Sequence, residues 1–192
     1  MLVYFIRHGE SENNSKGIYT GHMDVSLTPE GIKQAELVGA KLSNICFDAV
    51  YSSDLKRAVQ TARAAVPGAE IIIDKRLREI NIGSLSGKLI KSIRQDNPDK
   101  IEALDARDYR PFGGECDADT VARISSFIDE LKIKDYDSVA VFCHGGILHS
   151  VLEFALGVSF PPNRTSRRNC TITVYELTED RMTLVSWDSK VV

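Results

Sequence analysis

Two short apolar runs, more than a hundred residues apart, each end in a histidine followed by a glycine. Residues 1–6 lead into Arg7-His8-Gly9, and residues 138–143 lead into His144-Gly145-Gly146. Apolar, β-branched runs of this length are typical of buried strands. If the two strands are parallel neighbours, both imidazoles lie outside the carboxyl ends of the strands, where open α/β sheets bind ligands. Either histidine alone could be structural, but the matched pair favours a shared site.

Elements alternate along the rest of the chain. Thr28-Pro29 predicts a helix start, because threonine is a common N-cap and proline is favoured at the first helical position. Strands are predicted at residues 48–51 and 70–74, a helix capped by Ser52–Asp54 lies between them, and residues 171–176 and 182–187 form a hairpin. A helix is also expected over residues 145–156.

This order predicts an α/β fold, a three-layer α/β/α sandwich around a mostly parallel, doubly wound sheet with one antiparallel edge strand. The chain shows no linker or repeat, so we expect a single domain over residues 1–192. Residues 84–116 are predicted to be helical with breaks at Gly87 and Pro98, and to form a lid or insertion over the active edge.

Composition excludes several classes of function. The chain has 192 residues and a net charge of −3, so no basic field indicates nucleic-acid binding. The N-terminal apolar run is too short for a membrane span or a signal peptide, so we expect a cytoplasmic protein without membrane contact. The four cysteines show no C-x-x-C pairing and the four histidines lack zinc-ligand spacing, so neither a metal nor a cofactor is expected. No pattern indicates an oligomeric state.

Three charged residues complete the candidate site. Arg7 and Arg57 could clamp a phosphate with planar guanidinium groups, although Arg57 could equally be a solvated surface residue. Glu79 could pair with Arg76 or Arg78, or it could be a protonated general acid that donates to a leaving oxygen. The residues by themselves leave both alternatives open.

The motifs resemble those of the histidine phosphatase superfamily, in its phosphoglycerate-mutase-like branch, over nearly the whole chain. The family's opening motif matches Arg7-His8-Gly9-Glu10-Ser11, its loop pattern matches residues 21–31, and its Ser-Ser-Asp-Leu-x-Arg signature matches residues 52–62. Leu-Arg-Glu at residues 77–79 and His144-Gly145 follow in the family's order.

The resemblance implies a role for each site residue. His8 would be the nucleophile that forms a phosphohistidine, with its other ring nitrogen bonded to a backbone carbonyl. Arg7, Arg57 and His144 would bind the phosphoryl oxygens, and Glu79 would be the proton donor and then the base that activates water. The implied secondary substrate-binding groups are Asn14, Gly21, Ser52, Ser53 and the N–H of Gly145.

Departures from the family pattern leave the subfamily open. The family's Gly-x-Trp-Glu-Gly is Gly83-Ser84-Leu85-Ser86-Gly87 here, and Cys116 replaces the serine of Gly-Gly-Glu-Ser. We expect a metal-independent phosphomonoesterase acting on a small phosphorylated metabolite. Residues 80–83 differ from the Arg-His-Tyr-Gly of the mutases, which favours a phosphatase. A cofactor-dependent phosphoglycerate mutase, which would transfer the phosphoryl group rather than hydrolyse it, is the alternative. A non-catalytic binding module is less favoured because every core group is present.

The side chains that could contact the substrate share a polar or basic character, and they could also be solvated surface. They are Lys88, Lys91, Arg107, Tyr109, Arg110, Arg164, Arg167 and Arg168.

Overall fold

A computed structural model describes residues 1–158 and 168–189. Six strands form one sheet in the order β3-β2-β4-β1-β5-β6. The strands are β1 (Leu2–Arg7), β2 (Ala49–Ser52), β3 (Ile71–Ile73), β4 (Ser138–Cys143), β5 (Ile172–Leu177) and β6 (Met182–Ser189). Strands β1 to β4 are parallel, β5 is antiparallel to β1, and β6 pairs antiparallel with β5 at the edge. The predicted class is confirmed, and the reversed strand lies one position in from the edge.

Helices cover both faces of this sheet, as predicted. The α-helices are α1 (Glu12–Ser15), α2 (Pro29–Leu42), α3 (Lys56–Ala65), α4 (Ile93–Asp96), α5 (Ile101–Asp105), α6 (Asp117–Lys132) and α7 (Gly145–Leu156). Because side chains alternate along a strand, Phe5 packs with α6 and α7 on one face, whereas Ile6 packs with α2 and α3 on the other. Three layers result.

The segment after β3 is built from short pieces rather than long helices. Besides α4 and α5 it contains 3₁₀ helices at Lys75–Leu77, Gly83–Leu85, Pro98–Lys100 and Arg110–Phe112. A small apolar cluster of its own, including Ile82 and Phe112, holds it together. Helical structure in residues 84–116 is therefore present but more fragmented than predicted. That residues 1–192 form a single domain, with residues 84–116 as its lid, stays a prediction.

The start of α3 differs from the prediction that Ser52–Asp54 would cap it. The carboxylate of Asp54 instead accepts two bonds from Arg78, at 2.7 and 2.6 Å. The helix begins at Lys56, whose N–H donates to Oδ1 of Asp24 at 2.7 Å. A carboxylate from a distant loop thus replaces the expected local cap.

Candidate active site

His8 follows the last residue of β1 and is almost fully buried. Its Nδ1 lies 2.7 Å from the carbonyl oxygen of Gly9, the backbone contact that the resemblance implied. Because a carbonyl only accepts, Nδ1 carries the proton and Nε2 keeps its lone pair. Burial, and then the charges of Arg57 and Arg7, lower the pKa of His8 well below its ordinary value. The ring is therefore a neutral imidazole with a nucleophilic Nε2.

His144 lies beside His8, as the parallel-strand argument predicted. Strands β1 and β4 are paired with Arg7 opposite Cys143, so each strand delivers its histidine at the same edge. The two ring centroids are 5.2 Å apart. Burial, followed by the charge of Arg57, also lowers the pKa of His144 well below its ordinary value.

Arg57 reaches back from the first turn of α3 into the same space. Its Nε donates to Nε2 of His8 at 3.2 Å, while Nη1 and Nη2 donate to the carbonyls of Met23 and Gly21, both at 2.9 Å. Burial lowers the pKa of Arg57 to about 10, so the guanidinium remains charged at neutral pH. Arg57 is only 1% exposed, which excludes the alternative that it is a solvated surface residue. Gly21 acts here through its carbonyl, which fixes the arginine.

Arg7 lies at the N-terminus of α7. A methyl group on residue 145 would lie 3.3 Å from Cζ of Arg7, so a glycine at this position leaves room for the guanidinium. Both Arg7 and Gly145 line a cavity of about 500 Å³ into which His8 and Arg57 also face. Guanidinium groups and the N-terminus of a helix both attract anions. Together they suit this end of the cavity to a phosphate.

Glu79 lines the same cavity as these cations. Its Oε1 accepts from the N–H of Ile80 at 2.9 Å, and its Oε2 accepts from the N–H of Gly146 at 3.2 Å. The carboxylate thus faces the cavity and does not form the predicted alternative pair with Arg76 or Arg78. Those two arginines bind Asp74 and Asp54 instead.

Two residues that the sequence did not identify hold the backbone of Glu79. Nε2 of His22 lies 2.6 Å from its carbonyl oxygen, and Nη2 of Arg123 donates to the same oxygen at 3.1 Å. His22 lies inside the matched loop motif, which is the one signal that could have indicated it. Arg123 comes from α6, and nothing in its local sequence marks it.

The predicted secondary groups separate into two sets. Asn14 lines the cavity, whereas Ser52 and Ser53, like His144, are fully buried and are not among the lining residues. The hydroxyl of Ser53 lies 2.9 Å from Nε2 of His144, so it orients that ring from behind. Asn169, which the sequence did not identify, lines the cavity and donates through Nδ2 to the carbonyl of His8 at 3.0 Å.

The candidate substrate-contact residues differ in whether they line the cavity. Arg107 and Tyr109 line the cavity. Lys88, Lys91, Arg110 and Arg168 are exposed and are not among the lining residues. Arg164 and Arg167 lie outside the described residues.

One group of side chains beside the cavity has donors that a metal could use. Asp117, His149 and Glu153 each offer an atom within 4.8 Å of the others. The spacing of the histidines in the sequence does not indicate this group, because only the packing of α6 against α7 brings Asp117 to His149. Arg107 Nη2 lies 3.2 Å from Oδ1 of Asp117, so a guanidinium already neutralises part of this group.

Comparison with known proteins identifies the family. The model of the histidine phosphatase superfamily (branch 1) matches residues 3–190. The chain belongs to this superfamily. The resemblance drawn from the motifs is confirmed, and with it the predicted class of enzyme, a phosphoric monoester hydrolase.

Relatives carry both phosphatase and mutase names. Phosphoserine phosphatase 1 of Hydrogenobacter thermophilus is 32% identical over 81% of this chain and 76% of its own length. A protein of Enterobacter sp. named "Probable phosphoglycerate mutase GpmB" is 29% identical over 97% of this chain and 90% of its own length. The structure of mycobacterial glucosyl-3-phosphoglycerate phosphatase superposes with a TM-score of 0.89 at 26% identity, covering 98% of this chain and 99% of that one.

Among the described residues, no helix is long and apolar enough to cross a membrane.

Proposed function

We propose that this protein hydrolyses a small phosphorylated metabolite through a phosphohistidine formed on Nε2 of His8. The observation that carries the proposal is the 2.7 Å contact between Nδ1 of His8 and the Gly9 carbonyl oxygen. The Gly9 carbonyl fixes the proton on Nδ1, and burial with two neighbouring guanidinium groups lowers the pKa of His8, so Nε2 is ready to attack.

In the first step Nε2 of His8 attacks phosphorus and the bond to the ester oxygen breaks. Arg7, Arg57, His144 and the N–H of Gly145 bind the three phosphoryl oxygens and stabilise the charge that spreads over them. Glu79, protonated at this stage, gives its proton to the departing alcohol oxygen. Arg57 Nε, which donates to His8 in the free site, turns to a phosphoryl oxygen.

In the second step the carboxylate of Glu79 takes a proton from water. The hydroxide attacks phosphorus, the P–N bond to His8 breaks, and inorganic phosphate leaves. Glu79 is again protonated, so both the proton and the imidazole return to their starting states. In this proposal Arg7 and Arg57 supply the positive charge, so turnover is expected in the presence of a chelator. Asn14 serves as a secondary polar contact at the rim.

Mutase activity is the second candidate, because the matched Enterobacter protein carries that name. In that reaction a second hydroxyl of the substrate, rather than water, would attack the phosphohistidine. The two reactions share the first step and differ only in the acceptor.

The test is an assay with EDTA against phosphomonoesters that include 3-phosphoglycerate, in which free phosphate and phosphoglycerate isomerisation are followed together. His8→Asn is the sharpest variant, because its amide N–H can replace Nδ1 at the Gly9 carbonyl while the nucleophile is lost. We expect phosphate release from the wild type and a loss of about 10⁴-fold or more in this variant, as when other catalytic nucleophiles are removed.

Acid quenching and mass spectrometry should find the phosphoryl group on the wild-type peptide that contains His8. Isomerisation without release would favour the mutase. Undiminished release by His8→Asn would refute the proposed nucleophile, and no turnover on any ester would favour a binding role.

A further inference from the structure

Beyond the phosphate position, the cavity has a second region that the leaving alcohol must occupy. We call it the alcohol subsite. Its wall combines aliphatic side chains with polar ones. The aliphatic members are Ile18, Ile80, Ile82, Ile90, Ile93 and Leu104, and the polar ones are Tyr19, Arg94, Arg107 and Tyr109.

Arg107 is held in this wall at a backbone conformation that arginine seldom adopts, with φ of 52°. A left-handed φ is disfavoured in any residue that carries a Cβ atom. Residues that nevertheless adopt this conformation are concentrated at functional sites. The residue is 6% exposed, and its Nη2 is anchored by the carbonyl of Gly146 and by Asp117, both at 3.2 Å. Arg107 also lines the cavity.

The two tyrosines form a neutral polar pair beside it. Their hydroxyl oxygens are 2.5 Å apart, and the rings meet edge to face with centroids 6.1 Å apart. Burial raises the pKa of both Tyr19 and Tyr109, so both stay un-ionised phenols at neutral pH. They can exchange hydrogen bonds with hydroxyl groups or ring heteroatoms and add no charge.

The charges at the subsite disfavour a second anion. With Arg7 and Arg57 assigned to the phosphate, each remaining lining arginine in the described part of the chain has its own carboxylate partner. Arg94 pairs with Asp105, and Arg107 pairs with Asp117. The carboxylate side chain of Glu10 also lines the cavity, whereas Glu79 carries its proton when the substrate binds in the proposed mechanism. A carboxylate on the substrate would meet the Glu10 anion and would have to compete for paired arginines.

We infer that the preferred substrate is a phosphomonoester whose alcohol part is uncharged, bears hydroxyl or ring acceptors, and presents an apolar face, as a sugar or nucleoside does. The inference rests on the proposed function. A cavity of about 500 Å³ is also in the range that ligands larger than a three-carbon acid occupy. This preference differs from that suggested by the name of the phosphoserine phosphatase relative, whose substrate carries a carboxylate.

A matched pair of esters tests the charge argument. Glycerol 3-phosphate and 3-phosphoglycerate share one carbon skeleton and differ only in a hydroxymethyl group against a carboxylate. We expect kcat/KM for glycerol 3-phosphate to exceed that for 3-phosphoglycerate by about tenfold or more, which corresponds to the loss of one hydrogen-bonded or charge-matched contact. Equal values, or a preference for 3-phosphoglycerate, would overturn the inference.

The apolar wall is tested with adenosine 5′-monophosphate, whose alcohol part is long enough to reach it. Ile90 lines the cavity but is 46% exposed, so Ile90→Asn should fold. We expect this variant to lose several-fold more kcat/KM on adenosine 5′-monophosphate than on glycerol 3-phosphate. Ile133→Asn is the matched control, because Ile133 is 83% exposed and outside the lining, and it should leave both values unchanged. Equal losses in Ile90→Asn on the two esters would contradict the apolar wall.

Release of phosphate from p-nitrophenyl phosphate distinguishes a failure of the inference about the alcohol from a failure of the proposed function. If the wild type hydrolyses that ester but prefers 3-phosphoglycerate over glycerol 3-phosphate, the inference about the alcohol fails while the proposed function stands. If no ester is hydrolysed, the proposed function itself fails.

Discussion

Gly146, the second residue of α7, lies directly against the proposed proton donor. A methyl group at this position would be 2.2 Å from Oε1 of Glu79 and 3.2 Å from Nη2 of Arg107. The first distance is far inside van der Waals contact, so in Gly146→Ala the carboxylate has to move by about 1 Å. The obstacle is the end of a side chain rather than backbone, and alanine favours a helix more than glycine does. The fold should therefore survive.

The size of the effect follows from that displacement. A misplacement of about 1 Å in a reacting group can cost about 10²-fold in rate, or about 2.7 kcal/mol of transition-state stabilisation. We expect Gly146→Ala to lower kcat/KM on an alkyl phosphate such as glycerol 3-phosphate by about that factor. Its thermal unfolding midpoint should equal or exceed that of the wild type.

A comparison of two esters with different leaving groups distinguishes a loss of proton donation from other damage to the active site. The alcohol of p-nitrophenyl phosphate leaves readily without a proton, so kcat/KM on that ester should fall far less. Glu79→Gln should show the same contrast between the two esters. Because both changes act on one carboxylate, the double variant should lose no more than Glu79→Gln alone.

Two results would refute this reasoning. One is an equal loss of kcat/KM on both esters in Gly146→Ala, which would indicate a disturbed phosphate site rather than a displaced donor. The other is additive losses in the double variant, which would show that residue 146 acts independently of Glu79.

Two further predictions concern the cationic half of the site. Arg57→Lys keeps the positive charge but loses the planar guanidinium group. In steady-state kinetics kcat/KM should therefore fall by about 10²–10³-fold, as when one preorganised donor is removed. A loss under about threefold would show that charge alone suffices. Because the pKa values of His8 and His144 lie well below the ordinary 6.5, the unfolded chain binds more protons than the folded chain below that pH. The free energy of unfolding should therefore be at its full value above pH 6.5 and fall as the pH drops towards the folded-state pKa values, by up to about 1.4 kcal/mol per pH unit for each histidine. Urea unfolding between pH 7 and 5.5 measures this slope, which should be shallower in His144→Gln; a slope unchanged by that substitution would contradict the assignment.

The sequence by itself determined the framework and the reacting groups. Apolar runs that end in His8 and His144 predicted neighbouring strands, because a parallel sheet collects the carboxyl ends of its strands at one edge. The motif match then placed Arg7, Arg57 and Glu79 in the same site. These features are local in the chain, or depend only on strand order.

Only the tertiary structure decided how these groups are held. Arg123 and His22 meet at the carbonyl of Glu79 from elements far apart in the chain, and Asn169 reaches the backbone of His8 from near β5. Ser53, which its motif suggested as a substrate contact, instead supports His144 from behind. Such contacts depend on crossing positions and side-chain directions that arise when helices pack on the sheet, and local propensity does not encode them. For the same reason the character of the alcohol subsite depends on the tertiary structure, which brings residues 80–109 next to Ile18 and Tyr19 in the lining of one cavity.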